Sequence, residues 1–308
     1  MKVLVLGGCG FIGSYVVDSL LEAGHQVRVF DRQPERFRDP LPGVEYFFGN
    51  FGDRMAVIDV LSGMDAVVHL ISTTFPGTAD LDPITDVKDN LVGTLTLLES
   101  MTVLNISRIL FLSSGGTIYG APDVVPIPED HPLRPINSYG IVKASIEHYL
   151  DMYRRTRGLL PISIRASNPY GPRQGHSGVQ GVIGTFLRRI VNGESLEIWG
   201  DGSVIRDYLH ASDLGRLCAK AVATDLTGSY NAGSGHGTSL SEIVAYMESL
   251  STQSTPVTYR PGRPIDVQRS ILDVSRAKRD LDWQTQIDLK DGIKGTYEWM
   301  RSITQIQN

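Results

Sequence analysis

Apolar residues along this chain follow two periodicities that alternate from the N-terminus to about residue 165. Short continuous apolar runs predict buried strands, and between them apolar residues recur at helical spacing. The predicted strands are 3–6, 26–30, 44–48, 66–69, 108–112 and 161–165. A helix is predicted from residue 11, and further helices at 54–61, 86–101 and 138–156. This alternation predicts an α/β fold with a doubly wound parallel sheet and helices on both faces.

A glycine-rich turn joins the first predicted strand to the first predicted helix. Gly7, Gly10 and Gly13 have the spacing G-x-x-G-x-x-G, and Gly8 also gives G-x-G-x-x-G. Glycine lets the backbone adopt a positive φ and approach a pyrophosphate, and the helix N-terminus offers free N–H groups and a positive dipole end. Strand, turn and helix together predict a Rossmann-like dinucleotide site.

A carboxylate ends the second predicted strand. Asp31 follows Gly13 by 18 residues, where an acid can accept hydrogen bonds from the adenosine ribose hydroxyls. Its negative charge repels a ribose phosphate, so the sequence predicts NAD rather than NADP. Arg32 keeps NADP open as an alternative, because a guanidinium beside the acid can bind a phosphate.

The pattern changes after residue 165. Glycines and prolines interrupt 168–180, and the elements that follow are shorter. We therefore expect residues 1–165 to form the dinucleotide-binding domain, with 204–235 returning to it. Residues 166–308 are expected to form mainly a smaller C-terminal substrate-binding lobe.

Tyr139 and Lys143 lie about one turn apart on the same face of the predicted helix 138–156. This spacing lets the ammonium reach the cofactor ribose while the phenol projects toward a substrate. A free phenol titrates near ~10, so a base at neutral pH needs a pKa lower by about 3, roughly 4 kcal/mol. We expect Lys143 and the positive nicotinamide ring to supply this lowering.

The bulk properties agree with an enzyme that acts on small molecules. The net charge is −5, with acidic and basic residues interspersed, so we expect neither nucleic acid nor a membrane surface as a partner. The N-terminal apolar run is of strand length and lacks a signal-peptide cleavage pattern, which predicts a cytoplasmic protein. Cys9 and Cys218 predict no disulfide framework, and we expect no metal site.

Motifs along nearly the whole chain resemble those of the extended short-chain dehydrogenase/reductase family and, within it, the nucleotide-sugar epimerases. The motifs are residues 7–13, 69–72, 90–94, 113–120, 139–143, 165–172, 199–208 and 260–266, and the tail 277–299 is similar to the family's closing segment. The resemblance implies a bound NAD. Besides the residues already named, it implies cofactor contacts from Phe11, Ile12, Asn50, Phe51, Leu70, Ile71, Ser72 and Asn90. Asn50 replaces the family's usual aspartate, and an amide can make a similar contact with adenine.

The resemblance also implies a helper hydroxyl for proton transfer. The family usually has Ser or Thr as the third residue of 113–120, where this chain has Gly115. Counting back from Tyr139 by the family's usual separation gives Ser114, which is the first candidate, and Thr117 is the second. The dehydratases of this family carry Thr-Asp-Glu here, and this chain has no carboxylate in that place, which argues against a dehydratase.

A nucleoside diphosphate sugar is the implied substrate. Asn168 can donate to the diphosphate, Arg206 and Arg263 have guanidinium groups suited to phosphate oxygens, and Asp266 can accept from ribose hydroxyls. Ser270 occupies the position that faces the sugar's position 2 in this family. Its small side chain permits an N-acetyl group without excluding plain hexoses.

The resemblance therefore implies a UDP-hexose 4-epimerase that holds NAD tightly. We expect it to interconvert UDP-N-acetylglucosamine and UDP-N-acetylgalactosamine, with UDP-glucose and UDP-galactose as further substrates, through a 4-keto sugar. The alternatives are a nucleotide-sugar reductase or decarboxylase of the same fold and a non-catalytic dinucleotide sensor. A homodimer is expected through helices 86–101 and 138–156, whose outward apolar residues are predicted to include Leu91, Leu95, Leu98, Ile146 and Leu150.

Overall fold

The structure is a computed structural model, and it describes residues 1–174, 181–251, 255–262 and 267–307. Its strands are β1 (Lys2–Leu6), β2 (Gln26–Asp31), β3 (Val44–Phe48), β4 (Ala66–His69), β5 (Arg108–Ser114), β6 (Leu160–Ala166), β7 (Asn168–Tyr170), β8 (Leu196–Trp199), β9 (Ile205–His210), β10 (Gly228–Ala232), β11 (Gly237–Ser239), β12 (Val257–Arg260) and β13 (Arg269–Ser270). Its α-helices are α1 (Phe11–Glu22), α2 (Arg54–Leu61), α3 (Pro76–Ala79), α4 (Pro83–Asp86), α5 (Gly93–Val103), α6 (Ser138–Arg157), α7 (Val182–Val191), α8 (Ala211–Val222), α9 (Leu240–Leu250), α10 (Ser275–Leu281) and α11 (Leu289–Gln307).

Seven strands form one parallel sheet in the order β10-β6-β5-β4-β1-β2-β3. The chain runs outward from β1 to β3 and then returns to place β4 on the other side of β1. Such a reversal leaves a crevice at the carboxyl ends of β1 and β4, which is where ligands bind in open α/β sheets. The predicted doubly wound sheet is confirmed.

Alternating side chains of each strand serve two separate cores. Val3 and Val5 of β1 face the core that contains the apolar residues of α1 and α8. Leu4 and Leu6 face the opposite core, formed with α2, α5 and α6. Burial of both faces explains why this strand is continuously apolar rather than alternating with polar residues.

The smaller lobe has its own sheets and core. Strands β7, β9, β11 and β13 form one sheet, and β8 pairs with β12. A third core joins α7, α9 and α11. Helix α8 packs on α1, and β10 extends the large sheet, whereas β9 pairs within the smaller lobe. The predicted domain boundaries stay a prediction.

The segment predicted as one long helix, 86–101, is interrupted. Helix α4 ends at Asp86, residues Val87–Val92 form a π-helical segment, and α5 begins only at Gly93. Asn90, inside the π-helical segment, bonds to the loop after β4 by accepting from the Thr73 N–H at 2.9 Å. Apolar spacing does not reveal the extra residue that a π-turn takes up, so the pattern predicted a continuous helix here.

Candidate functional site

The turn between β1 and α1 is built from glycines in close contact. Gly7 has a φ of +86°, which favours glycine. A Cβ added at Gly13 would lie 2.0 Å from the Gly7 carbonyl oxygen and 2.7 Å from Gly8 Cα. Gly13 thus lets the first turn of α1, which contains Phe11 and Ile12, close onto the loop. Gly10 caps this helix without a side-chain hydrogen bond, so the turn fits a phosphate group.

A cavity of about 460 Å³ lies over this turn. Its lining includes the following residues predicted to contact the cofactor: Gly7, Gly10, Asp31, Arg32, Asn50, Phe51, Leu70, Ile71 and Ser72. The predicted residues Phe11, Ile12, Gly13, Asn90, Tyr139 and Lys143 are not in this lining. Other lining residues were not predicted from the sequence. They come from the segment after β3, the loop after β4, the π-helical segment and the first turn of α5: Gly49, Gly52, Thr73, Lys88, Asp89, Val92, Gly93 and Thr96.

Asp31 lies at the end of β2 and is held by backbone donors. Its carboxylate accepts hydrogen bonds from the N–H of Cys9 at 3.0 Å and of Arg32 at 2.7 Å. Burial raises the pKa of Asp31, and these donors counter that rise. The acid is therefore fixed beside the glycine turn, in a position suited to ribose hydroxyls.

Two carboxylates hold Arg38, which lies seven residues after Asp31 in the sequence. Its guanidinium contacts Asp18 at 2.5 Å and Glu35 at 2.9 Å, and Asp18 also binds Arg173 at 2.8 Å. Arg38 is thus paired with two acids and is not in the cavity lining, whereas Arg32 is. Arg32 is therefore the arginine placed to meet a ribose phosphate.

Tyr139 and Lys143 lie in the first two turns of α6. The Asn137 side chain caps this helix by accepting from the Gly140 N–H at 2.8 Å. Lys143 Nζ donates to the Leu112 carbonyl at 2.9 Å and lies 5.6 Å from the centre of the Tyr139 ring. The two side chains are therefore together on one helix face, beside the carboxyl end of β5.

Burial governs the charge of both groups. It lowers the pKa of Lys143 to about 8, against the carboxylates of Asp86 and Glu147, which raise it. Burial, together with the Asp86 carboxylate, raises the pKa of Tyr139 to about 12. Lys143 was expected to lower the pKa of Tyr139. In the chain alone this pKa is raised instead, because burial and the Asp86 carboxylate both disfavour the phenolate.

The segment after β5 contains the two candidate hydroxyls. A Cβ added at Gly115 would lie 2.6 Å from Leu272 Cδ1 and 3.0 Å from the Arg165 carbonyl oxygen, so a hydroxyl side chain does not fit there without movement. Ser114 is half-buried at the end of β5. Thr117 Oγ1 is buried and has no hydrogen-bond partner among the described residues. Both remain candidates.

The smaller lobe has a second cavity, of about 210 Å³, lined by Asn168 and Arg206 among others. Asn168 Nδ2 donates to the Asp207 carbonyl at 2.8 Å, so one of its N–H groups already has a backbone acceptor. Ser270 is buried on β13 and stands beside Arg206 in register. Ser270 lines neither this cavity nor the neighbouring one of about 370 Å³.

Some predictions lie beyond what the structure addresses. Arg263 and Asp266 lie outside the described residues. Within the described residues, no group of three or more His, Cys, Asp or Glu side chains is arranged to hold a metal. No helix in the described part of the chain has the length and apolar character needed to span a membrane.

The fold, the glycine turn and the Tyr139/Lys143 pair together define an enzyme of the extended short-chain dehydrogenase/reductase type. The family model described as the NAD dependent epimerase/dehydratase family matches residues 3–233, and the chain belongs to this family. NAD is the family's cofactor, as the acid at Asp31 predicted.

Individual relatives match over their full lengths. A protein of Methanocaldococcus jannaschii described as a putative UDP-glucose 4-epimerase is 32% identical, over 97% of this chain and 98% of its own. The structure of a UDP-glucose 4-epimerase from Thermotoga maritima with UDP-glucose has a TM-score of 0.92 and 35% identity, covering 99% and 100% of the two chains. A UDP-N-acetylglucosamine 4-epimerase from Methanobrevibacter ruminantium, in complex with UDP-N-acetylmuramic acid, has a TM-score of 0.91 and 27% identity, covering 99% and 98%.

Proposed function

We propose that the chain is a UDP-sugar 4-epimerase that interconverts UDP-N-acetylglucosamine and UDP-N-acetylgalactosamine and also accepts UDP-glucose and UDP-galactose. The observation that carries the reaction type is the pairing of Tyr139 and Lys143 beside a segment, 114–117, that has hydroxyls but no carboxylate. The full-length similarity to relatives described as UDP-glucose 4-epimerases supports the nucleotide-sugar class.

In this reaction each residue has one task. NAD, when bound, supplies the oxidation at C4 and the matching reduction. Tyr139 Oη takes the proton of the C4 hydroxyl and returns it to the product. Lys143 keeps a positive charge beside the phenol, and Ser114 donates a hydrogen bond to the reacting oxygen. The 4-keto sugar must present first one face and then the other to the cofactor. We therefore expect the protein to bind mainly the nucleotide and to make few contacts with the hexose.

The N-acetylated substrates are the finer part of the proposal. Ser270 has a small side chain at the position that the family resemblance directs toward the sugar. It is buried on β13 and pairs in register with Arg206, which lines the second cavity. A small residue leaves space for an acetamido group, whereas a plain hexose needs none.

The test uses purified protein with UDP-N-acetylglucosamine or UDP-glucose, without added cofactor. We expect each sugar to be converted to its C4 epimer, with the N-acetylated one faster, and no steady change in NADH absorbance. Product separation by anion exchange measures the conversion. In parallel reactions with added NADH or NAD, net consumption or net release of NADH in proportion to product would favour the reductase or decarboxylase alternative, and bound NAD without conversion of either sugar would favour the sensor.

A homodimer is also proposed, with a revised contact surface. Three residues expected to face outward, Leu98, Ile146 and Leu150, are instead buried in the core against the sheet. The large apolar residues exposed on α5 and α6 include Val103 and Ile141, at 72% and 52% exposure. Apolar side chains on neighbouring helices suit a helical interface. A monomer by light scattering at micromolar concentration would contradict it.

A further inference from the structure

Asp86 is a buried carboxylate between the loop after β4 and the start of α6. Its exposure is 0%, and it ends α4 directly before the π-helical segment. Among the described residues, no lysine, arginine or histidine nitrogen lies within 4.0 Å of its oxygens. A buried charge without an ion pair is costly unless hydrogen bonds stabilise it.

Three side chains donate to this carboxylate, each from a different segment. Oδ1 accepts from Thr74 Oγ1 at 2.6 Å and from Asn90 Nδ2 at 2.9 Å, and Oδ2 accepts from Ser138 Oγ at 2.7 Å. Thr74 follows the loop that lines the cofactor cavity, and Ser138 begins α6 immediately before Tyr139. Asp86 therefore ties the cavity wall to the first turn of the helix that carries Tyr139.

The charge of Asp86 also acts on both reacting groups. It raises the pKa of Tyr139 and that of Lys143. Glu147, one turn further along α6, also raises the pKa of Lys143, but a buried ion pair at 2.7 Å with Arg165 compensates its charge.

Two further titratable groups among the described residues face this site: Asp80, which is exposed and accepts from the Ser138 N–H at 2.8 Å, and His69 on β4. Burial and the charge of Lys143 lower the pKa of His69 to about 3, so this histidine is neutral in the working pH range. Asp86 is thus the uncompensated negative charge that Tyr139 and Lys143 share.

We propose that Asp86 is a positioning residue for the epimerisation, which holds the start of α6 through Ser138 and sets the pH range in which Tyr139 and Lys143 work together. The inference rests on the proposed function, since it assigns these two residues their tasks. In the chain alone the pKa of Tyr139 lies above that of Lys143, so the pKa of Tyr139 must be lowered by the positive nicotinamide ring of bound NAD before the two groups can work together. Activity then falls below the pKa of Tyr139, where the base is protonated, and above the pKa of Lys143, where the ammonium is lost.

The test is Asp86→Asn. The amide keeps an acceptor for Thr74 and Asn90, and the Ser138 hydroxyl can accept from the new NH₂ group, so the local geometry is retained while the charge is lost. Both pKa values then fall, and the whole profile of kcat/KM against pH moves to lower pH by about 0.5 to 1 pH unit. A variant that merely loosens the structure lowers the profile without moving it.

Asp80→Asn is the matched control. Asp80 is exposed and accepts from the Ser138 backbone N–H at 2.8 Å, so this variant makes the same chemical change at the same helix start. Its profile is expected to keep its position. An Asp86→Asn profile that stays in place, whatever its height, would overturn the proposal, as would an equal movement in both variants.

Two further measurements keep the test decisive. If thermal melting shows that Asp86→Asn does not fold, Asp86→Glu replaces it: this variant retains the charge, and a displaced profile would refute the proposal.

Tyrosinate absorbance of the NAD-loaded protein, taken as the difference between the parent and its Tyr139→Phe variant, needs no sugar. The pH midpoint of Tyr139 ionisation is expected to be lower in the Asp86→Asn background. An unchanged midpoint counts against the proposal even if the wild-type protein proves not to be an epimerase.

Discussion

Replacing Gly13 with alanine is expected to weaken both the fold and cofactor binding. In an ordinary helix interior, Gly→Ala stabilises by about 1 kcal/mol. Here the added Cβ would lie 2.0 Å from the Gly7 carbonyl oxygen and 2.7 Å from Gly8 Cα. These are backbone atoms of a tight turn and cannot rotate away as a flexible side chain would. Overpacking costs about 1–3 kcal/mol, and an approach of 2.0 Å to a backbone atom puts this site at the upper end. Subtracting the helix gain of about 1 kcal/mol leaves a net destabilisation of about 2 kcal/mol.

Two measurements separate the effects of this substitution. Urea unfolding gives the loss of stability, and the NAD content after purification, followed by titration calorimetry, gives the loss of affinity. Relief of the overlap requires α1 to move away from the phosphate turn, so NAD affinity is expected to fall by at least about tenfold, the equivalent of about 1.4 kcal/mol.

Gly295→Ala is the matched control, because Gly295 lies in α11 and an added Cβ would meet nothing within 4 Å. This variant is expected to be more stable than the parent by about 0.5–1 kcal/mol, with unchanged NAD binding. A Gly13→Ala protein as stable as the parent, with its NAD intact, would refute the packing argument.

Three further substitutions test the proposed chemistry. Tyr139→Phe should lower kcat by several orders of magnitude and leave UDP-sugar affinity, by calorimetry, within a few fold, because it removes a proton acceptor rather than an anchor; near-normal turnover would exclude Tyr139 as the base. Ser114→Ala should cost about 10²-fold in kcat, and if it is silent while Thr117→Ala is crippling, the two roles are reversed. Ser270→Tyr should depress kcat/KM for the N-acetylated substrate more than 10²-fold relative to UDP-glucose, the result of a clash of about 3 kcal/mol. Equal losses, in a protein that still melts normally, would mean that Ser270 does not face the sugar.

Local patterns predicted most of the fold. The predicted strands 44–48 and 66–69 have the bounds of β3 and β4, and the helix at 54–61 those of α2. Elsewhere β5 continues past the predicted end at residue 112 to Ser114. These elements follow from periodicity that a short window contains. The interruption at 87–92 does not, because it depends on Asn90 bonding to the loop after β4.

The candidate site was predictable where a motif has its own local geometry. The glycine turn, Asp31 and the Tyr139/Lys143 pair belong to this class, since strand ends and helical spacing determine their placement. Asp86 belongs to the other class. Its partners Thr74 and Ser138 are 12 and 52 residues away in the chain, and a single acid at the end of a short helix shows no pattern in the sequence. Such contacts become visible only when the sheet brings the segments together.

The pairing of Arg38 with Asp18 and Glu35 has a consequence for protein engineering. A designer who wished to convert the chain to NADP would begin by replacing Asp31, and this would remove a repulsion while Arg32, which lines the cavity, stays as a cation beside the strand end. Arg38 would still be bound to two acids, at 2.5 and 2.9 Å, and releasing it would leave Asp18 with Arg173 and Glu35 buried without its cation. A second cation for the ribose phosphate, supplied by Arg38 in addition to Arg32, would therefore require rebuilding the ion-pair cluster of Arg38, Asp18 and Glu35 as well as changing the charge at the strand end.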